Sequence, residues 1–132
     1  MFVLDSFALL SMLQNELGAQ RVRDILREAE ADRAEVWLCI INYGEVLYIT
    51  EREHGLKATQ EAAQAIDYLP VQIVEADRKL TFSAAHIKAT LPVSYADSFA
   101  IALAIEKGGK VVTGDPEFHK AEALVGVEWI PQ

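Results

Sequence analysis

The 132-residue chain predicts a single α/β domain over residues 1–132: a three-layer sandwich, with helices on both faces of a five-stranded parallel sheet. Three observations carry this. Five short apolar runs recur along the chain. One or two helical patterns separate each run from the next. No internal repeat, low-complexity segment or linker breaks the order.

The elements follow in turn. "MFVLD" (1–5) reads as a strand, and "SFALLSMLQN" (6–15) as a helix with a stripe at Phe7, Leu10 and Leu13. "GAQRVRDILREAEAD" (18–32) places Val22, Ile25, Leu26 and Ala29 on one face with charges opposite. "VWLCI" (36–40) is the second strand. "INYGEVLYITEREH" (41–54) is a helix stopped by Gly55, and "LKATQEAAQAIDYL" (56–69) one ended by Pro70. "VQIV" (71–74) is the third strand. "DRKLTFSAAHIKAT" (77–90) is a helix that Pro92 ends; "SYADSFAIALAIEKG" (94–108) opens on a serine cap and closes at Gly108 and Gly109. "KVVT" (110–113), a short helix "PEFHKAEAL" (116–124) and the strand "VEWI" (127–130) complete the order.

Composition narrows the class. With 52% hydrophobic and 24% charged residues, the chain is globular. The one cysteine, Cys39, lies in an apolar run; it reads as a small buried hydrophobe, excludes an internal disulfide and fits a reducing compartment. The N-terminus lacks a basic region and Asp5 interrupts its apolar run; no stretch approaches the ~20 residues of a membrane span, so a cytoplasmic protein with no membrane partner is expected. Twelve Lys+Arg against twenty Asp+Glu give a net charge of −8. That opposes a passive nucleic-acid binder, which needs a basic footprint. It leaves room for an enzyme that recruits metal cations to meet phosphates.

Four acids stand out. Asp5 ends the first strand and Asp115 lies two residues past the fourth, both at carboxyl ends, where α/β sheets bind ligands. Glu45 shares a helix face with Ile41 and Ile49. Asp97 is the only charge between Ala96 and Ile105, in line with Ile101 and Ile105. Each has a plain alternative: Asp5 and Asp115 as turn or cap residues, Glu45 at the rim of an amphipathic face, Asp97 as a helix N-terminal charge. Together they lack basic neighbours in their own segments, Arg52 near Glu45 excepted. Converging carboxylates need a cation from outside, and hard oxygen ligands select Mg²⁺ or Mn²⁺. Ser6 and Thr113 add hydroxyls that can support the carboxylates or a phosphate, or cap the following turns.

"VLDSFALL", "NYGEVLY", "YADSFAIALA" and "VVTGDPEF" resemble, in order and spacing, the four motif blocks of the PIN-domain family, and most nearly its VapC-type toxins from toxin–antitoxin pairs. The resemblance runs end to end. It implies a metal-dependent endoribonuclease with a PIN-like five-stranded parallel sheet, metal-ligand roles for Asp5, Glu45, Asp97 and Asp115, and a supporting role for Thr113. It also implies an RNA substrate, a cognate antitoxin and a homodimer. Where some members carry a further acid near the third block, Ser94 and Ser98 flank Asp97, so a second ion is expected to be held more loosely. Glu117 can compensate for that looser hold or face solvent, the second being the expectation.

His54, His86 and His119 lack ligand spacing, His119 being the best placed of them. Trp37 and Trp129 read as core, and Arg52, Lys57 and Lys120 as solvated surface or an RNA groove. "EKGGK" stops a helix and is not a phosphate loop. The rival readings are a non-catalytic PIN-like RNA- or protein-binding module and a metal-dependent phosphatase. The phosphatase would want Asp-x-Asp where "DSF" stands.

Overall fold

A computed structural model describes residues 1–132. Its elements are β1 (Phe2–Leu4), α1 (Ser6–Leu13), α2 (Ala19–Glu30), β2 (Val36–Cys39), α3 (Ile40–His54), α4 (Leu56–Asp67) and β3 (Gln72–Val74). They continue with α5 (Arg78–Thr90), α6 (Tyr95–Lys107), β4 (Lys110–Thr113), a 3₁₀ turn (Pro116–Ala121) and β5 (Gly126–Trp129). The expected helix over 116–124 is therefore a shorter 3₁₀ segment. Pro116 at its first turn and the Asp115 cap start it, and the chain must return to β5 within a few residues.

All five strands pair in parallel, in the order β3-β2-β1-β4-β5. The period-2 alternation of side chains divides the interior into two layers. Val3, Trp37, Cys39 and Val111 point to one face and pack under α5 and α6. Leu4, Leu38, Val36 and Val112 point to the other, under α1, α2 and α4. Helix α3 lies across the join, with Ile41 against the first layer and Val46 in the second.

The chain builds leftward from β1 to β3, then crosses to the far side of β1 to lay down β4. The order reverses between β1 and β4, so a crevice opens beyond their carboxyl ends. Asp5 follows β1 directly and Asp115 follows β4 by two residues. Gly55 joins α3 to α4 at φ +91°, a conformation that favours glycine over residues with a Cβ.

Two features depart from expectation. Trp37 is core, but Trp129, on the edge strand β5, is half-buried and stacks on the His119 ring at 4.3 Å. In α1 the stripe Phe7, Leu10, Leu13 is also half-buried; the residues sunk in the interior are Ser6, Ala8, Leu9 and Ser11.

Helix α6 gives a direct test of this packing. Ile101 is fully buried, while Ile105, one turn on, is 48% exposed. Ile101→Ala is expected to cost about 2–5 kcal/mol, and Ile105→Ala to stay within about 0.5 kcal/mol of wild type. Chemical denaturation of the two variants checks this; equal losses would contradict the orientation of α6.

Candidate functional site

The site begins with backbone chemistry at strand and helix ends. Asp5 is the N-cap of α1, its Oδ1 accepting from the Ala8 N–H at 2.8 Å. Asp115 caps the 3₁₀ turn, its Oδ1 accepting from the Glu117 N–H at 2.9 Å. Ser94 caps α6 by accepting from the Asp97 N–H at 3.2 Å. Capping and site-building are thus one arrangement. A carboxylate has two oxygens, and a cap uses one. The second oxygen of Asp5, Oδ2, is buried and meets no hydrogen-bond partner.

These ends open into one cavity of about 300 Å³. Asp5, Glu45, Asp97, Asp115 and Glu117 supply its carboxylates, Ser6 and Ser94 its hydroxyls, and Phe7, Leu10 and Ile49 an apolar wall. No lysine, arginine or histidine lines it. All four sequence-predicted acids therefore meet in one place. Glu117 joins them and, contrary to expectation, is half-buried; the tight 3₁₀ turn carries it back over the crevice. Asp97, Asp115 and Glu117 each offer an oxygen within 4.8 Å of the others, a span that one cation can bridge. Glu45 lies at the wall shared with Ile49. The fully buried face of α3 runs one position on, through Asn42, Val46 and Thr50.

The hydroxyls divide by role. Thr113 is fully buried and its Oγ1 accepts from the Asp115 N–H at 3.0 Å, which sets the turn after β4. Ser6 meets Asn42, and Ser98 donates to the Tyr95 carbonyl within its own helix. His119 is exposed and paired with Glu122 at 2.7 Å; His54 lines a different cavity, beside α4, and His86 is exposed.

Sequence reading missed Asn42. Its buried amide donates to Ser6 Oγ at 3.2 Å and to the Ala96 carbonyl at 3.1 Å. It thereby ties α3, which carries Glu45, to the residues next to Asp5 and Asp97. Its place three residues before Glu45 in "NYGE" is a usable signal, because an asparagine one turn from a cavity acid shares that acid's side of the helix. Gly114 matters for a different reason: a Cβ there would lie 2.4 Å from the Phe7 ring, so glycine lets that ring close down beside the Asp115 turn.

The electrostatics follow from crowding and burial. Burial raises the Asp5 carboxyl to about 7, against the pull of the Thr113 hydroxyl and the Ala8 N–H; the charges of Asp115 and Glu45 add to the rise. Asp97 is raised as well, by burial first, then by its contact with Glu117 and the charge of Asp5. The buried Cys39 thiol is pushed up by burial and stays a packing residue. An oxygen-only donor set with an unpartnered buried carboxylate oxygen suits a hard divalent cation such as Mg²⁺ or Mn²⁺.

The family model of the PIN domain matches residues 2–124. Among solved structures, VapBC2 from Rickettsia felis, bound to a DNA fragment from its promoter, is similar at TM-score 0.77 and 13% identity, over 98% of each chain. VapC20 of Mycobacterium tuberculosis, a toxin that cleaves the sarcin–ricin loop, is similar at 0.72 and 17%, over 92% of this chain and 95% of its own. A toxin–antitoxin complex from Klebsiella pneumoniae follows at 0.70 and 15%, over 97% and 96%. No curated protein matches in sequence.

Two tests follow from this geometry. Because the folded pKa of Asp5 lies above its unfolded value, the folded chain binds the extra proton between pH 3.8 and about 7, and stability falls as pH rises through that window. Asp5→Asn keeps an oxygen for the Ala8 cap and removes the titration. Its metal-free melting temperature should match wild type at the acid end of that window and exceed it at the neutral end, whereas Asp5→Ala loses the cap at a cost of about 1 kcal/mol. Parallel pH dependences for wild type and Asp5→Asn would show that Asp5 acts only as a structural acceptor. Asn42→Ala, which removes both hydrogen bonds of a fully buried amide, should cost about 1–3 kcal/mol in denaturant melts; no measurable loss would remove Asn42 from the account.

Proposed function

The chain belongs to the PIN-domain family, and from that premise we propose that it is a divalent-metal-dependent endoribonuclease, the toxin of a toxin–antitoxin pair. The observation that carries the reading is the cavity itself: five carboxylates and no basic side chain, at the switch point of a parallel sheet. Uncompensated acids in one crevice disfavour every anionic ligand until a cation joins them. A purely binding module for RNA would be better served by lysines and arginines there.

In this reading Asp97, Asp115 and Glu117, whose oxygens lie within one cation's span, would hold Mg²⁺ or Mn²⁺, with Asp5 and Glu45 lining the same cavity as further oxygen donors. A bound ion supplies charge for the scissile phosphate and lowers the pKa of an attacking water. Asp5 and Asp115 are held by their caps, so each carboxylate is oriented before any ligand arrives. Thr113 fixes the Asp115 turn, and Ser6 anchors the start of α1 through Asn42. Phe7, Leu10 and Ile49 close one side with apolar surface, which restricts water and strengthens the electrostatics inside.

The neighbour named as a toxin–antitoxin complex supports an antitoxin as partner; in this reading that antitoxin silences the site, and the chain acts in the cytoplasm as a homodimer. No helix is long and apolar enough to cross a membrane.

The test is cleavage of single-stranded RNA by protein freed of partners, with Mg²⁺, Mn²⁺ or EDTA. Water attack should leave 5′-phosphate and 3′-hydroxyl ends, and EDTA should stop it. Asp97→Asn should retain the fold and lower cleavage by roughly 10²-fold or more. Activity that survives EDTA, 2′,3′-cyclic phosphate ends, or near wild-type cleavage by Asp97→Asn would each defeat the reading.

A further inference from the structure

Helix α3 continues outward past Glu45, and its next two turns carry an aromatic and a cation. The Tyr48 hydroxyl donates to Glu45 Oε2 at 3.4 Å. The Arg52 guanidinium carbon sits 5.2 Å from the centre of the Tyr48 ring. Tyr48 is 49% exposed and Arg52 is exposed, so the pair faces solvent at the rim of the cavity that Glu45 and Ile49 line. Arg21, Arg27 and Arg33 are each neutralised by a carboxylate within ion-pairing distance. Arg52, like Arg23 and Arg78, has no such partner; among these it is the one held against an aromatic face at the cavity's edge, where its charge stays available to an anion.

That placement has a use in a chain of net charge −8. A polyanion nearing the acids meets repulsion from most of the surface, and a local cation beside the crevice offsets it. Unpaired bases stack on tyrosine rings and guanidinium planes, and phosphates pair with arginine. We propose that the Arg52–Tyr48 stack is the contact that holds a single RNA strand beside the acids, Arg52 taking a backbone phosphate and Tyr48 an unpaired base. This rests on the ribonuclease reading and names how that site grips its substrate. Both are positioning residues, outside the set that meets the metal.

The probe is a fluorescein-labelled single-stranded oligoribonucleotide. Its binding is followed by anisotropy with Ca²⁺ in place of Mg²⁺, and its cleavage with Mg²⁺. Arg52→Ala should weaken binding about tenfold and reduce the slope of log K against log salt by about 0.7, the value for one phosphate of a single strand. Arg52→Lys should restore the slope. Tyr48→Ala should weaken binding about tenfold, within the range for loss of one stacked base, with the slope unchanged, and Tyr48→Phe should bind as wild type. In cleavage, Arg52→Ala and Tyr48→Ala should raise KM far more than they lower kcat. Circular dichroism melts of each variant establish that it is folded.

An unchanged salt slope in Arg52→Ala overturns the proposal. So does a Tyr48→Phe as defective as Tyr48→Ala, which would make the hydroxyl's bond to Glu45 the working part. Variants that bind RNA normally and lose only a partner protein overturn it too. A wild type that binds the oligonucleotide without cutting it removes the ribonuclease reading and leaves the contact standing. Cutting that is indifferent to both residues removes the contact and leaves the ribonuclease. A wild type that does not bind RNA removes both.

Discussion

Five carboxylates share one crevice with no basic side chain among them, and every structural feature around that crevice works against their mutual repulsion. Like charges at this range separate unless something else fixes them. Three devices do so. Backbone N–H groups at element starts hold one oxygen of Asp5 and one of Asp115. The parallel pairing of β1 with β4 sets the strand ends that carry both acids side by side. The buried Asn42 amide draws α3 to the starts of α1 and α6 by two hydrogen bonds. The carboxyl pKa values of Asp5 and Asp97 are raised first by burial in the least solvated part of the cluster, and neighbouring carboxylates add to the rise.

Much of this was legible in the sequence. Strand order of appearance, helix stops and the four acids all follow from periodicity and punctuation. What periodicity does not reveal is which surface a stripe meets. Phe7, Leu10 and Ile49 are half-buried and wall the cavity, and Phe7 and Leu10 also pack on the core layer beneath it. The buried face of α3 is the more polar one, through Asn42 and Thr50. It can be so because both residues place their donors, Asn42 across to Ser6 and Ala96 and Thr50 on the Val46 carbonyl of its own helix at 2.7 Å. Glu117 was misjudged for a related reason: a turn residue after proline looks solvent-facing until the tightness of the 3₁₀ winding is known. Asp5 and Asp115 posed a choice between cap and ligand that the two oxygens of a carboxylate dissolve.

The similar solved structures share this architecture at 13–17% identity. Identity that low speaks to the fold alone. The weight therefore falls on the residues themselves: on a buried oxygen of Asp5 that its cap leaves over, and on acids that the fold holds in register before any ligand enters.

The central place of β1 carries one more consequence, for the order in which the chain acquires its chemistry. Phe2 pairs with Val36 on one side and with Lys110 on the other, more than a hundred positions downstream. Contacts of such separation close late and slowly. As the polypeptide leaves the ribosome, β1, α3 and their acids can settle against β2 and β3, while the gap beside β1 stays vacant until β4 emerges. Asp115 and Glu117 lie beyond β4. A nascent or prematurely terminated chain thus carries only part of the acidic cluster, and the crevice is complete only once the last fifth of the polypeptide has docked.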